Sequence, residues 1–250
     1  MTRRTCLPGT SRLPTLALLL SSLWLAGCAT QQQGLGNGER ETSPADAWTQ
    51  LGVAYLERDN LQRAMNALER ALRIAPNDPE ALQAMALAYQ RQGEYELADA
   101  SFQRALSADR HFTRARNNYA AFLYDRGRTR EACEQLERAS GDAQYSARAQ
   151  LFANLGQCQR ELGDLEAARQ SLERAQNLDP RSPRSYFTLA ELEHAAGNHE
   201  RAQEQVDALI RLAGPSPEAL RLAREIAEAR GDDATAAFYS EQLDGRPGTP

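Results

Sequence analysis

Not one lysine occurs among the 250 residues, although arginine is abundant. That absence removes the G-x-x-x-x-G-K phosphate loop and every lysine nucleophile at once. Histidine is nearly as scarce, with only His111, His194 and His199. The last two are five apart, which would put them on different faces of one helix, and Gly197 between them marks a turn with one on either side. Read as polar surface residues they form no metal site, since no further ligands can be placed beside them. There is no G-x-S-x-G elbow, and no carboxylate pair stands out from ordinary charged helix faces. The four cysteines include no C-x-x-C pair. Basic surplus is missing too: the net charge is −5, so the footprint of a nucleic-acid binder is absent. No catalytic residue, cofactor or metal is expected, and the chain reads as a non-enzyme.

What is present is a rhythm. Alanine stands at 64, 98, 132, 168, 202 and 236, spaced by 34 residues except for one interval of 36. Glycine at 93, 127, 163, 197 and 231 keeps the same beat. A 34-residue period is the length of a tetratricopeptide helical hairpin, so the expected fold is all-α: a right-handed α-solenoid of about six hairpins. The expected repeats are 45–78, 79–112, 113–146, 149–182, 183–216 and a degenerate 217–243. A long coiled coil is disfavoured, because glycine or proline interrupts the pattern every 15 to 20 residues.

Counting Ala45 as repeat position 1, Trp48, Leu51, Gly52, Tyr55, Ala64, Leu68, Ala71 and Pro76 fall at positions 4, 7, 8, 11, 20, 24, 27 and 32. Small residues at 8 and 20 let the two helices of a hairpin approach, and larger ones at 4, 7, 11 and 24 fill the space around that contact. Pro76 stops the second helix. Arg116 breaks the pattern at position 4 of the third repeat, and Gln159 and Glu193 break it at position 11, where the core is expected to narrow. The end repeats are expected to show one face to water.

The ends of the chain carry a different message. Arg3, Arg4 and Arg12 precede an apolar run, Leu13 to Leu25, which at thirteen residues is too short to span a bilayer comfortably. Leu25-Ala26-Gly27-Cys28 then matches the bacterial lipobox, so 1–27 reads as a lipoprotein signal peptide and Cys28 as the lipid attachment point. An ordinary secretory peptide with an incidental Cys28 is the alternative. Cleavage removes three arginines and moves the net charge from −5 to −8. Full acylation of Cys28 would anchor the chain to a membrane without a spanning helix. Ala29, in the place where inner-membrane retention calls for Asp, points to the outer membrane, facing the periplasm. Residues 28–44 read as a lipidated flexible tether with a reach of roughly 20 Å, and 244–250 as a disordered tail.

Two internal cysteines remain. Cys133 falls on the second helix of repeat three and Cys158 on the first helix of repeat four, which are neighbours in the stack. In an oxidising compartment they are expected to form a disulfide. Two buried free thiols, or a redox pair, are the other readings. In such stacks the first helix of each hairpin lines the concave face through positions near 2, 5, 9, 12 and 13. That assignment gives a partner-binding groove of Thr49, Val53, Leu56, Gln83, Leu87, Asn117, Ala121 and Tyr124, continued by Ala153, Gln157, Phe187 and Glu191. Water-facing Val53, Leu56, Leu87 and Tyr124 suggest a groove for an apolar peptide or helix; scattered surface apolars are equally ordinary. Asn117 and Asn118 suit an extended peptide backbone, or else structural helix contacts. The lysine-dependent carboxylate clamp of chaperone-binding tetratricopeptide domains is not available.

From the lipobox through all six repeats the chain resembles the PilW/PilF family, lipoproteins of type IV pilus biogenesis that act as pilotins for the outer-membrane secretin. The most specific parts are Asn117-Asn118-Tyr119-Ala120-Ala121-Phe122-Leu123-Tyr124, similar to the family's N-N-Y-G-x-F-L-Y with Ala120 for Gly, the two-residue insertion after Tyr145, Asn154-Leu155-Gly156, and the Cys133 and Cys158 pair. The resemblance implies a non-enzymatic protein whose partner is a secretin subunit, bound on the early repeats and promoted in its localisation or multimerisation; a monomer is expected. A lipidated adaptor that gathers peptidoglycan hydrolases or other envelope enzymes is the alternative from the same fold.

Overall fold

Ser43, Pro44 and Asp46 start the first helix of the computed structural model, which describes residues 43–245. The Ser43 hydroxyl accepts from the Asp46 amide while the Asp46 carboxylate accepts from the Ser43 amide, a reciprocal cap that satisfies two otherwise orphaned donors. Pro44 therefore already belongs to a helix, and the expected tether ends two residues earlier than its predicted limit. The signal peptide 1–27, Cys28 and the tether up to residue 42 lie outside the described residues, as do residues 246–250 of the tail.

Among the described residues the chain is twelve helices and no strand. They are α1 (Pro44–Glu57), α2 (Leu61–Ile74), α3 (Pro79–Gln92), α4 (Tyr95–Ala108), α5 (Thr113–Asp125), α6 (Thr129–Ser140), α7 (Arg148–Glu161), α8 (Leu165–Leu178), α9 (Pro183–Ala195), α10 (His199–Ala213), α11 (Pro217–Ala229) and α12 (Asp233–Leu243). Consecutive helices pair as six antiparallel hairpins, and the fold is an all-α tetratricopeptide solenoid. None of these helices is long and apolar enough to cross a membrane.

Each hairpin turns on a left-handed residue. Gly93, Gly127, Gly163, Gly197 and Gly231 hold φ between 69° and 83°. Repeat one fills the equivalent place with Asp59 at φ 55°, a residue type that tolerates this region better than most. Beyond the turn, the two helices meet at position 8. A Cβ built on Gly156 would lie 2.6 Å from Leu172 Cγ and 3.0 Å from the Ala168 carbonyl oxygen, and one on Gly52 would lie 2.6 Å from Leu68 Cγ. Glycine at these two sites is thus required by contact. Ala86, Ala120 and Ala190, all buried, serve the same position elsewhere.

Successive hairpins then stack in a particular way. Every first helix lies close to the next first helix, α1 to α3 and onward to α11, whereas the second-helix backbones stay further apart and α8, α10 and α12 meet through side chains such as Gln176 donating to Gln205 at 2.8 Å. Closer spacing on one side than on the other makes the first-helix side the inner face of the stack. The interior between layers is continuous, with Phe102, Tyr119 and Phe122 in mutual aromatic contact at its centre. The insertion after repeat three appears as the long connection between α6 and α7, where Tyr145 packs back onto this core. Cys133 on α6 and Cys158 on α7 are bonded there, with Cα atoms 5.8 Å apart. Leu51, expected in the core, is 38 % exposed, and among the described residues no hairpin precedes α1 to cover it.

Position 11 departs from expectation. Instead of narrowing the core, Glu193 is buried at 2 % exposure and accepts from Arg169 Nε at 2.6 Å and Asn198 Nδ2 at 2.7 Å. Gln159 likewise accepts from the Ser171 hydroxyl at 2.7 Å. Gln159 is accommodated by Ser171 on its paired second helix, and Glu193 by Asn198 in its own turn and by Arg169 on α8 of the preceding hairpin. Burial opposes charge on Glu193, yet the hydrogen bonds from Arg169 and Asn198 and the nearby guanidiniums hold its carboxyl below the usual range.

Three stability predictions follow from these contacts. Gly156→Val should lower the unfolding free energy by about 3 kcal/mol in urea titration, since backbone and a buried leucine must both move. Glu193→Ala leaves Arg169 without its buried partner and should cost about 3–5 kcal/mol. Because the folded carboxyl titrates below the unfolded one, its contribution is complete above pH of about 4.3. It is lost as pH falls through the depressed folded value, and unfolding titrations of wild type and Glu193→Gln should converge there. Replacing Cys133 and Cys158 together by alanine opens a loop of 25 residues and should cost about 3.5 kcal/mol on the chain-entropy account.

Candidate partner-binding groove

Helical spacing decides which side chains of the first helices reach the inner face. Positions 5, 8 and 12 are joined by steps of three and four, so they share the face that packs at position 8. Thr49, Gln83, Asn117 and Ala153, all at position 5, are buried, as is Leu56 at position 12. Leu56 was expected to face water and does not; the position-5 residues, expected on the concave face, lie beneath it. Positions 2, 9 and 13 form the neighbouring stripe, and this one is open to the groove, whereas position 6 between them is buried at Ala84 and Thr188.

In repeats one to three the open stripe bounds a depression of about 570 Å³. Val53, 38 % exposed, and the half-buried Leu87 supply its apolar wall, with Ala54 beside them. Thr49, Leu56 and Gln83 contribute to its floor from beneath. The Thr49 hydroxyl is turned to Asp78 at 3.4 Å. Charged residues ring the wall. Arg114 pairs with Glu80 at 3.0 Å, Arg91 Nη1 donates to the Leu56 carbonyl, and Glu57 and Asn118 complete the rim. Sequence reasoning named Asn118 but not Glu80, Arg91 and Arg114, which occupy positions 2 and 13 of the lining set. The stripe spacing that buries position 5 is the signal that would have found them.

Ala121 and Tyr124 belong to a second, smaller depression of about 230 Å³ between repeats three and five. Its character is polar. The Tyr124 hydroxyl donates to Glu161 and accepts from Gln157 Nε2 at 2.7 Å, and Arg184 donates to Gln157 Oε1 at 2.7 Å. Burial, and then the Glu161 carboxylate, push the phenol of Tyr124 above its ordinary value, so it stays a neutral donor. Asn117 lines neither depression. It accepts from Asn154 Nδ2 at 3.4 Å, a contact between α5 and α7 that is structural. Further along, Phe187 is half-buried and Glu191 is paired with Arg160 at 2.6 Å.

His194 and His199 do stand on either side of the Gly197 turn, but the turn folds them together. Their Nδ1 atoms are 3.2 Å apart and both rings are half-buried, not the exposed pair expected. No group of three or more metal-ligating side chains occurs among the described residues.

An apolar strip of first-helix side chains, rimmed with charge and carried on stacked hairpins, defines a tetratricopeptide scaffold for protein–protein contact. Tetratricopeptide-repeat family models match residues 45–87, 79–112, 123–185 and 159–226. The type IV pilus assembly protein PilF of Pseudomonas aeruginosa is 32% identical over 228 residues, covering 90% of this chain and 90% of that protein. The solved structure of P. aeruginosa PilF superposes with a TM-score of 0.73 at 32% identity, over 81% of this chain and 91% of that one. PilW, described as a widely conserved type IV pilus biogenesis factor, superposes with a TM-score of 0.72 at 27% identity, over 80% and 92% of the two chains. The chain belongs to the PilF/PilW family of tetratricopeptide type IV pilus biogenesis proteins.

The Arg114–Glu80 pair is half exposed on both sides. Arg114→Ala should therefore change stability by less than about 1 kcal/mol in urea titration, which makes the rim alterable without loss of fold.

Proposed function

We propose that this protein is an exported lipoprotein whose acylated Cys28 holds the solenoid at the outer membrane on its periplasmic side. There its groove receives a segment of a type IV pilus secretin subunit and promotes secretin localisation and multimerisation. It works as a monomer and carries out no catalysis. The observation that carries the reading is the apolar wall of Val53 and Leu87 in repeats one to three, in a chain related to PilF along nearly its whole length. A helix or strand with apolar residues on one side suits that wall, and the Glu57, Glu80, Arg91 and Arg114 rim suits its polar edge.

Two experiments test it. Val53→Glu combined with Leu87→Glu should leave far-ultraviolet circular dichroism unchanged and abolish secretin multimers on denaturing gels of whole membranes. Undiminished multimers would reject the groove. Cys28→Ser should release the protein into the soluble periplasmic fraction. Persistence in the membrane pellet would reject the anchor, and altered cell-wall turnover with normal secretin would favour an adaptor of wall enzymes instead.

A further inference from the structure

On the outer side of the stack the second helices stand apart, and the gap between two of them is a crevice. The stack repeats, so equivalent crevices can be compared residue by residue. Between α2 and α4 the crevice is lined by Leu72, Leu82, Met85 and Leu97, with Glu69 beside Arg73 and Arg104. One repeat later, between α4 and α6, the same positions change character. Glu69 is replaced by Gln103, Leu82 by Arg116 and Ser101 by Gln135, while Pro76 gives way to Arg110 and Arg104 to Arg138. The result is a depression of about 550 Å³ lined by three guanidiniums and no carboxylate, in a chain whose net charge is negative.

Arg116 explains how the arginines come to be spare. In the earlier crevice the Pro76 carbonyl accepts from Arg104 at 3.0 Å. In the later one the equivalent carbonyl, that of Arg110, accepts from Arg116 Nη2 at 2.6 Å, while Arg116 Nη1 donates to Gln135 at 2.8 Å. Arg138, the counterpart of Arg104, has its ion pair with Glu134 at 3.9 Å and remains 61 % exposed. Burial, and then the like charge of Arg138, disfavour the charged form of Arg116, with Asp109 opposing. The surrounding carboxylates are engaged elsewhere. Asp109 accepts from the His111 amide, Asp142 from Thr113 and Gln144, and Asp99, behind Gln103 and Tyr119, is paired with Arg128 at 3.0 Å. Every other repeat fills position 4 with Trp48, Leu82, Phe152, Tyr186 or Leu220. Arg116 is a local cost to folding that a bound anion would offset.

We propose that the crevice between α4 and α6 binds a phosphoryl anion through Arg110, Arg116 and Arg138, with the Gln135 amide as a neutral donor. Guanidinium forks match phosphate oxygens in pairs, and three of them suit a multiply charged anion better than a single carboxylate. Free phosphate and the phosphate of a lipid headgroup share this chemistry.

The test uses the whole chain carrying Cys28→Ser, so that no acyl group drives it onto lipid. In one arm pyrophosphate, and at equal ionic strength acetate, are titrated while the melting temperature and calorimetric binding are followed. In the other, flotation is measured with phosphatidylcholine vesicles with and without phosphatidic acid. Arg116→Leu restores the residue type of Leu82 and should raise the melting temperature in the absence of anion. It should also weaken binding at least tenfold in whichever arm shows it. Arg138→Gln, at an exposed site, is the second variant if Arg116→Leu folds poorly. Binding in the pyrophosphate arm identifies a soluble anion, and binding only to phosphatidic acid a headgroup. Equal effects of acetate and pyrophosphate with no vesicle binding, no binding in either arm, or binding untouched by both variants would overturn the proposal.

Discussion

Everything in this molecule hangs from the distance between two helices at one point. Where Gly156 meets Ala168 and Leu172, and Gly52 meets Ala64 and Leu68, there is no room for a further carbon atom. That proximity fixes the hairpin, and the hairpin fixes which residues can be inward. A helix pressed this tightly at position 8 must also bury its neighbours three and four residues away. The buried Thr49, Gln83, Asn117 and Leu56 are therefore consequences of the same contact, and so is the open stripe that remains for a partner.

The two faces of the stack obey different rules for the same reason. First helices touch one another in sequence, so their shared surface is a continuous inner wall whose chemistry shifts from Val53 and Leu87 to Tyr124, Gln157 and Arg184. Second-helix backbones stand further apart, so their side offers separate crevices, open between α2 and α4 and between α4 and α6 and bridged by Gln176 and Gln205 between α8 and α10. Arg116 stands in one such crevice without disturbing the hairpins on either side. The polar substitution at position 11 of repeat five is met differently. Glu193 finds Asn198 in the turn of its own hairpin and Arg169 on α8 of the hairpin before, so the departure is answered by a tie between adjacent repeats.

The architecture was legible in the sequence because it is periodic. Small residues at 8 and 20, the turn glycines and Pro76 each report a backbone requirement that recurs, and recurrence separates a requirement from chance. The groove was legible only in part. Val53, Leu87, Ala121 and Tyr124 line the depressions and Thr49, Leu56 and Gln83 underlie the first, but Asn117 lines neither, because solvent exposure depends on how closely successive first helices pack, which the repeat length does not encode. The approach of His194 to His199 depends on the path of one turn, and the partnership of Glu193 with Arg169 on two helices meeting at one level. Such single encounters leave no periodic trace. Leu51 shows the complement: the repeat pattern assigns it to the interior, yet among the described residues no hairpin precedes α1 to cover it.

The bond between Cys133 and Cys158 has a consequence for how the stack comes apart. A polymer whose units hold only their nearest neighbours loosens from its tips, one unit after another, and any pull on a tip peels it like a zip. A covalent rivet between the third and fourth hairpins halts such peeling from either direction at the same place. The inner wall of repeats one to three lies wholly on one side of that stop, so loss of the last two hairpins would leave the wall attached to a closed, reinforced end.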